Sequence, residues 1–191
     1  MDRIILHMEA AITMAPGPTR STHRKGYQNN GIPMHMNDAD TPTDRQDEAV
    51  RNFINGFNCA QSILVTFGPD LGLDRTDALR LASGFGGGMG RMAQTCGAVT
   101  GAFMVLGLAF GHTHPDNKEA KARTEELCRE FAHQFRERNG SMVCRDLLGC
   151  DISNEDGKEK ANELGLSEKK CQGFVRDSAG ILRELLVKRS G

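Results

Sequence analysis

The sequence predicts an all-α fold: a single compact bundle of about five to six helices around a central apolar helix at about residues 96–111, behind a disordered N-terminal extension. Three observations predict it. Apolar residues recur at helical spacing, as in Val50, Phe53, Ile54 and Phe57 at i, i+3, i+4 and i+7. No segment shows the period-two alternation of a half-buried strand. The most apolar run, 96–111, follows a glycine-rich loop and ends before His112 and His114. At 191 residues the chain is long enough for one good core and too short for two large domains.

Residues 1–43 hold four of the six prolines among scattered Thr, Ser, Asn and Gly, without periodicity, and read as the disordered extension. The natural start is expected at Met34 or Met36, with the helical domain spanning 44–191. The first helix begins near Asp44, with Asp44, Asp47 and Glu48 near its first turn, and Gly56 interrupts it. Asn58 then reads as a fresh N-cap with Gln61 three residues on, a capping box that puts Cys59 at the first position of a second helix. One uninterrupted helix over 45–67 is the competing reading. After Gly68-Pro69 and Gly72, Asp74 or Thr76 caps a short helix running into Gly84. Thr95 is the expected N-cap of the central helix, with Cys96 at its first position. The pair Gly97 and Gly101 allows close approach of another helix. A long amphipathic helix from about Asp116, carrying Leu127, Phe131 and Phe135, stops at Asn139-Gly140. A short helix starts at Cys144. The charged stretch 151–160 reads as a solvated face or loop, and a final helix over about 167–188 points Cys171, Val175, Ser178, Leu182 and Leu185 inward.

Composition excludes several functions. Lys and Arg number 24 against 25 Asp and Glu, so no bulk charge favours nucleic acid or an anionic membrane, and nucleic acid is not an expected partner. With no Trp and one Tyr, a base-stacking platform is unexpected. The run 96–111 is shorter than the roughly 20 residues of a membrane span. The segment at 1–17 has only the apolar run Ile4–Leu6, followed by His7 and Glu9, so a signal-peptide core is missing and a cytoplasmic location is expected. Reduced cysteines there point to metal binding, redox chemistry or core packing more than to structural disulfides. The loop GFGGGMGR does not match G-x-G-x-x-G, and no P-loop lysine follows. Gly86, Gly87 and Gly88 are read instead as clearance that lets backbone pack closely beneath a cofactor or a neighbouring helix.

Of the six cysteines, Cys59, Cys96, Cys144 and Cys171 fall at or near helix starts, where the dipole favours a thiolate. Converging helix ends would jointly stabilise a four-cysteine metal or iron–sulfur centre. No C-x-x-C pair is present, so tertiary convergence has to supply what spacing does not. Cys128 sits beside Leu127 and Phe131 and reads as structural; Cys150, six residues after Cys144, reads as a resolving or alternative thiol. His112 and His114 read as exposed loop residues. Without C-x-x-C-H, covalent haem is excluded.

These motifs, GFNCAQ (56–61), LASGFGGGMGRMAQTCGAVTGAFMVLGL (81–108), CRDLLG (144–149) and CQGFVRDSAGILREL (171–185), resemble the redox-active C_GCAxxG_C_C family, named for its cysteine pattern. The resemblance implies a small helical protein with a thiol- or metal-linked redox role, its four characteristic cysteines falling on Cys59, Cys96, Cys144 and Cys171. The expected function is therefore redox or electron transfer, with these four as ligands of an iron–sulfur cluster, [2Fe–2S] in the first instance, and Gly86, Gly87 and Gly88 beside it. The first alternative is a thiol–disulfide switch in which Cys59 or Cys96 attacks and Cys150 or another neighbour resolves. The second is a non-enzymatic, zinc-stapled interaction module. Whether the protein is an enzyme, which redox partner it meets, and whether it forms a homodimer stay open.

Overall fold

The computed structural model describes residues 42–188, and the expectations about the extension and the natural start lie outside them. Eight α-helices are present among the described residues: α1 (Pro42–Ile54), α2 (Cys59–Phe67), α3 (Arg75–Ala82), α4 (Gly97–Phe110), α5 (Lys118–Asn139), α6 (Cys144–Leu148), α7 (Glu155–Glu163) and α8 (Gln172–Lys188). The only strand-like feature described is a single bridge between Thr95 and Val143. The all-α expectation holds; the count exceeds five to six once the short α3 and α6 are included and α7 is added where a loop or solvated face was expected.

The break between α1 and α2 is local chemistry. Gly56 takes φ +98°, and the Asn58 side chain accepts from the amides of Ala60 and Gln61 while Gln61 Oε1 accepts from the Asn58 amide, both halves of a capping box. This excludes the uninterrupted helix and fixes Cys59 at the first turn of α2. The apolar helix α4 packs most extensively against α2 and also meets α5 and α8. A Cβ on Gly101 would lie 2.8 Å from the Ala60 carbonyl, so the Gly97/Gly101 pair is what lets the two helices approach. Around them, Ile63, Leu64, Val99, Leu106, Leu127, Phe131, Phe135, Ile181 and Leu182 are fully or almost fully buried. Phe131 stacks on Phe135 and meets Phe103 edge-on, with centroids 5.9 Å apart in each case. Ser178 donates to the Ala98 carbonyl at 2.8 Å, tying α8 to the first turn of α4.

A second, smaller apolar cluster joins Cys144, Leu148 and Leu166, with Cys150, Ile152, Ala161 and Cys171 packed against it. Here two expectations are corrected. Residues 155–163 are helical: Asn154 caps α7 by accepting from the Gly157 amide, and Gly157 is buried against the Asp151 backbone. The final segment starts with a π turn at Ser167–Cys171 before α8, so Cys171 closes that turn and is not at a free helix start.

Candidate functional site

The four cysteines come from four different elements. Cys59 opens α2. Cys96 is the N-cap of α4, with Gly97 as its first residue; Thr95, the expected cap, is instead in the bridge to Val143. The shift by one residue has a tertiary cause, because the Cys96 amide donates to Met142 O (2.8 Å) and the Cys144 amide to Gln94 O (2.6 Å), clamping the chain before α4 to the chain before α6. Cys144 opens α6, and Cys171 ends the π turn. All four line one cavity of about 360 Å3.

Glycines shape the inner wall. Gly87 and Gly88 line the cavity at φ +62° and +72°, and a Cβ on Gly88 would lie 2.7 Å from Cys144 Cβ. Only glycine lets that loop pass so close beneath the thiol. Gly86 abuts the Asn58 side chain instead and does not line the cavity. Neither does Cys150, although it packs with Cys144 in the smaller cluster, nor Cys128, half-buried on α5 against the main core. His112 and His114 are exposed, as expected for loop residues.

The thiols do not follow the simple dipole expectation. Burial pushes Cys96 up from the ordinary thiol value of 9.0 to about 11, although the backbone amides of Ala98 and Val99 pull the other way. Burial, then repulsion from Cys96 and Cys171, raises Cys144 to about 12. Cys59 and Cys171 share a thiol hydrogen bond that raises Cys59, which is also desolvated and repelled by the other three thiols. That same bond lowers Cys171, with help from the Lys170 ammonium. Burial at Cys96 and Cys144, and the Cys171 hydrogen bond together with burial at Cys59, therefore outweigh the helix termini at three of the four cysteines.

Four facing thiols that resist ionising together form a donor set whose repulsion a bound cationic centre relieves, so their chemistry fits a cofactor held by four thiolates. Among the described residues no three His, Cys, Asp or Glu side chains close around one point as a single ion needs. The sulfurs are distributed over a cavity wall. No Asp or Glu lines that wall, whereas Arg91 and Lys158 do, so it suits an anionic guest. Sequence reasoning missed the rest of the lining, notably Phe53, Phe57, Arg91 and Asn162; only the lone arginine within the glycine loop offered a signal. No helix among the described residues is long and apolar enough to cross a membrane.

Neither a curated protein nor a solved structure matches the chain. A family profile does: that of C_GCAxxG_C_C, described as "Putative redox-active protein", over residues 57–185, a span that opens two residues before Cys59 and includes all four cavity cysteines. By that match, over more than half its length, the chain belongs to this redox-active family.

Proposed function

We propose that the protein is a redox or electron-transfer protein whose Cys59, Cys96, Cys144 and Cys171 hold an iron–sulfur cluster, [2Fe–2S] in the first instance. The carrying observation is that these four thiols, from four separate elements, line a single cavity free of carboxylates. A two-iron cluster divides its thiolates between two irons, so it does not need three donors around one point, which a mononuclear zinc site does. This favours the cluster over the zinc-stapled module. When bound, the cluster supplies one-electron redox chemistry. The chain's part is to deliver four thiolates, keep water away through Leu147, Leu148 and Leu166, and bring backbone close through Gly87 and Gly88.

Anaerobic reconstitution with ferric iron and sulfide tests this. We expect a coloured protein holding iron and sulfide in equal amounts, lost in each Cys→Ser variant of the four and retained in Cys128→Ser. A folded, colourless chain after reconstitution overturns it.

The thiol hydrogen bond between Cys59 and Cys171 favours a second reading, dithiol exchange. Cys171, the least buried of the four and the one with the lowered pKa, attacks a partner disulfide as thiolate, and the S–S bond breaks to release one partner thiol. Cys59 then loses its proton and attacks Cys171 Sγ, releasing the second partner thiol. The result is a Cys59–Cys171 disulfide and a partner reduced by two electrons. Thiol counting separates the readings: exchange removes two thiols together, without metal; Cys171→Ser abolishes the loss, and Cys59→Ser stops at the mixed disulfide with one thiol lost.

A further inference from the structure

The cavity is larger than the redox centre alone requires. Its volume of about 360 Å3 falls in the ~300–1,000 Å3 range of small-molecule sites, and the two irons and two sulfides of a [2Fe–2S] core are only four atoms. Away from the thiols Phe53, Phe57, Ile152, Leu166 and Phe174 give the wall apolar surface, interrupted by Asn162, Ser167 and Lys158.

Arg91 stands at the mouth, both exposed and part of the lining. Its side chain makes no ion pair or hydrogen bond among the described residues. Lys158, the other lining cation, is already engaged with Glu155 at 3.2 Å. Arg91 also has a backbone that arginine does not favour, φ +64°, held by its amide donating to Gly86 O at 3.0 Å. A left-handed non-glycine residue persists where its surroundings impose it, and such residues cluster at functional positions. Here the imposed conformation places the one uncommitted cation of the wall at the entrance to an apolar cavity.

We propose that the outer part of the cavity binds a small, apolar, redox-active molecule carrying one anionic group, its body against Phe53, Phe57 and Leu166 and its anion on Arg91. This rests on reading the four thiols as a redox centre, since it puts the guest within reach of them. The absence of carboxylates on the wall leaves nothing to repel the anion.

The test is equilibrium dialysis of anthraquinone-2-sulfonate against the full chain, cluster-loaded and metal-free, with uncharged 2-(hydroxymethyl)anthraquinone as the comparison. The sulfonate should bind saturably. Arg91→Gln should weaken it roughly twofold to fivefold, the scale of one solvent-facing charge contact, and Arg91→Lys should restore part of the loss. Arg91→Gly, which relieves the left-handed backbone, should bind as weakly as Arg91→Gln while melting at a higher temperature, so that weaker binding is not a sign of misfolding. The uncharged quinone should be indifferent to all three. Absence of saturable binding, equal affinity in Arg91→Gln, or an equal loss in Arg129→Gln on the distant α5 would overturn the proposal. Iron and sulfide are measured on the same samples: Arg91-dependent binding by a chain that takes up neither would overturn the cluster and uphold the site, whereas a loaded chain indifferent to Arg91 would do the reverse.

Discussion

The two apolar clusters differ in size and in what they do. The main core, built on α1, α2, α4, α5 and α8, buries Phe131, Phe135, Leu106 and Leu182 completely and carries Cys59 and Cys96 on its edge. The smaller one has three buried members, Cys144, Leu148 and Leu166, under a helix whose only buried residue is Gly157. One half of the cavity therefore stands on a rigid base and the other on a light cap. Burial of apolar area dominates folding, so stability should come mostly from the first, and geometry at the thiols should be adjustable through the second.

The largest effect should come from breaking the base. Phe131→Ala removes a fully buried ring in contact with two others and should cost about 3–5 kcal/mol in urea unfolding. Cofactor uptake should go with the fold. Gly88→Ala, on the cap side, should cost about 1–3 kcal/mol, because the new methyl meets Cys144 and the backbone is left-handed. Its distinguishing result is loss of iron uptake while the far-ultraviolet circular dichroism is kept; uptake at the wild-type level would break the assignment of this loop to the site.

The pH dependence of the metal-free protein probes one thiol on each side, Cys96 on the base and Cys144 on the cap. Cys96 and Cys144 keep their protons to about 11 and 12 when folded, whereas an unfolded thiol loses its proton near 9. Above pH 9 the folded state thus binds more protons, and stability should fall with rising pH until the folded values are passed, by at most about 1.4 kcal/mol per pH unit per thiol. Below pH 9 these groups should contribute no slope. Thermal melts at pH 8, 9, 10 and 11 check this, and Cys96→Ser should flatten the fall. The smallest effect is expected from Asn154→Ala, which removes the cap of α7 and should cost about 1 kcal/mol locally. Hydrogen exchange should quicken in 155–163 with little change in α4; equal quickening in both would show that base and cap unfold as one.

What was legible in the sequence was what short-range chemistry decides. The Asn58/Gln61 box, the Gly140 stop at φ +82° and the apolar stripe of α5 all depend on residues within a turn of one another. The four cysteines were legible as candidates, because each lies near the start of an element. Their shared cavity was not, since the clamp joining Gln94 and Cys96 to Met142 and Cys144 links segments distant in sequence. The same clamp moved the start of α4 by one residue. Helix α7 escaped because EDGKEKANE has no apolar stripe; its anchorage is a buried glycine on the Asp151 backbone, which leaves no hydrophobic signature.

The π turn at Ser167–Cys171 has a consequence of phase. A turn closed by i→i+5 bonds holds one residue more than an α-turn, so the rod after it is rotated by about 100° relative to an unbroken helix. Leu166 before the turn serves the small cluster, and Val175, Ala179 and Leu182 after it serve the large one. One continuous segment thus meets two cores that a uniform helix would have to face with a single stripe, and Cys171 sits where the rotation is made. Deleting one residue within 167–171 should leave a rod of nearly the same length whose two ends can no longer both be in register, making it the most economical change that separates fold from thiol placement.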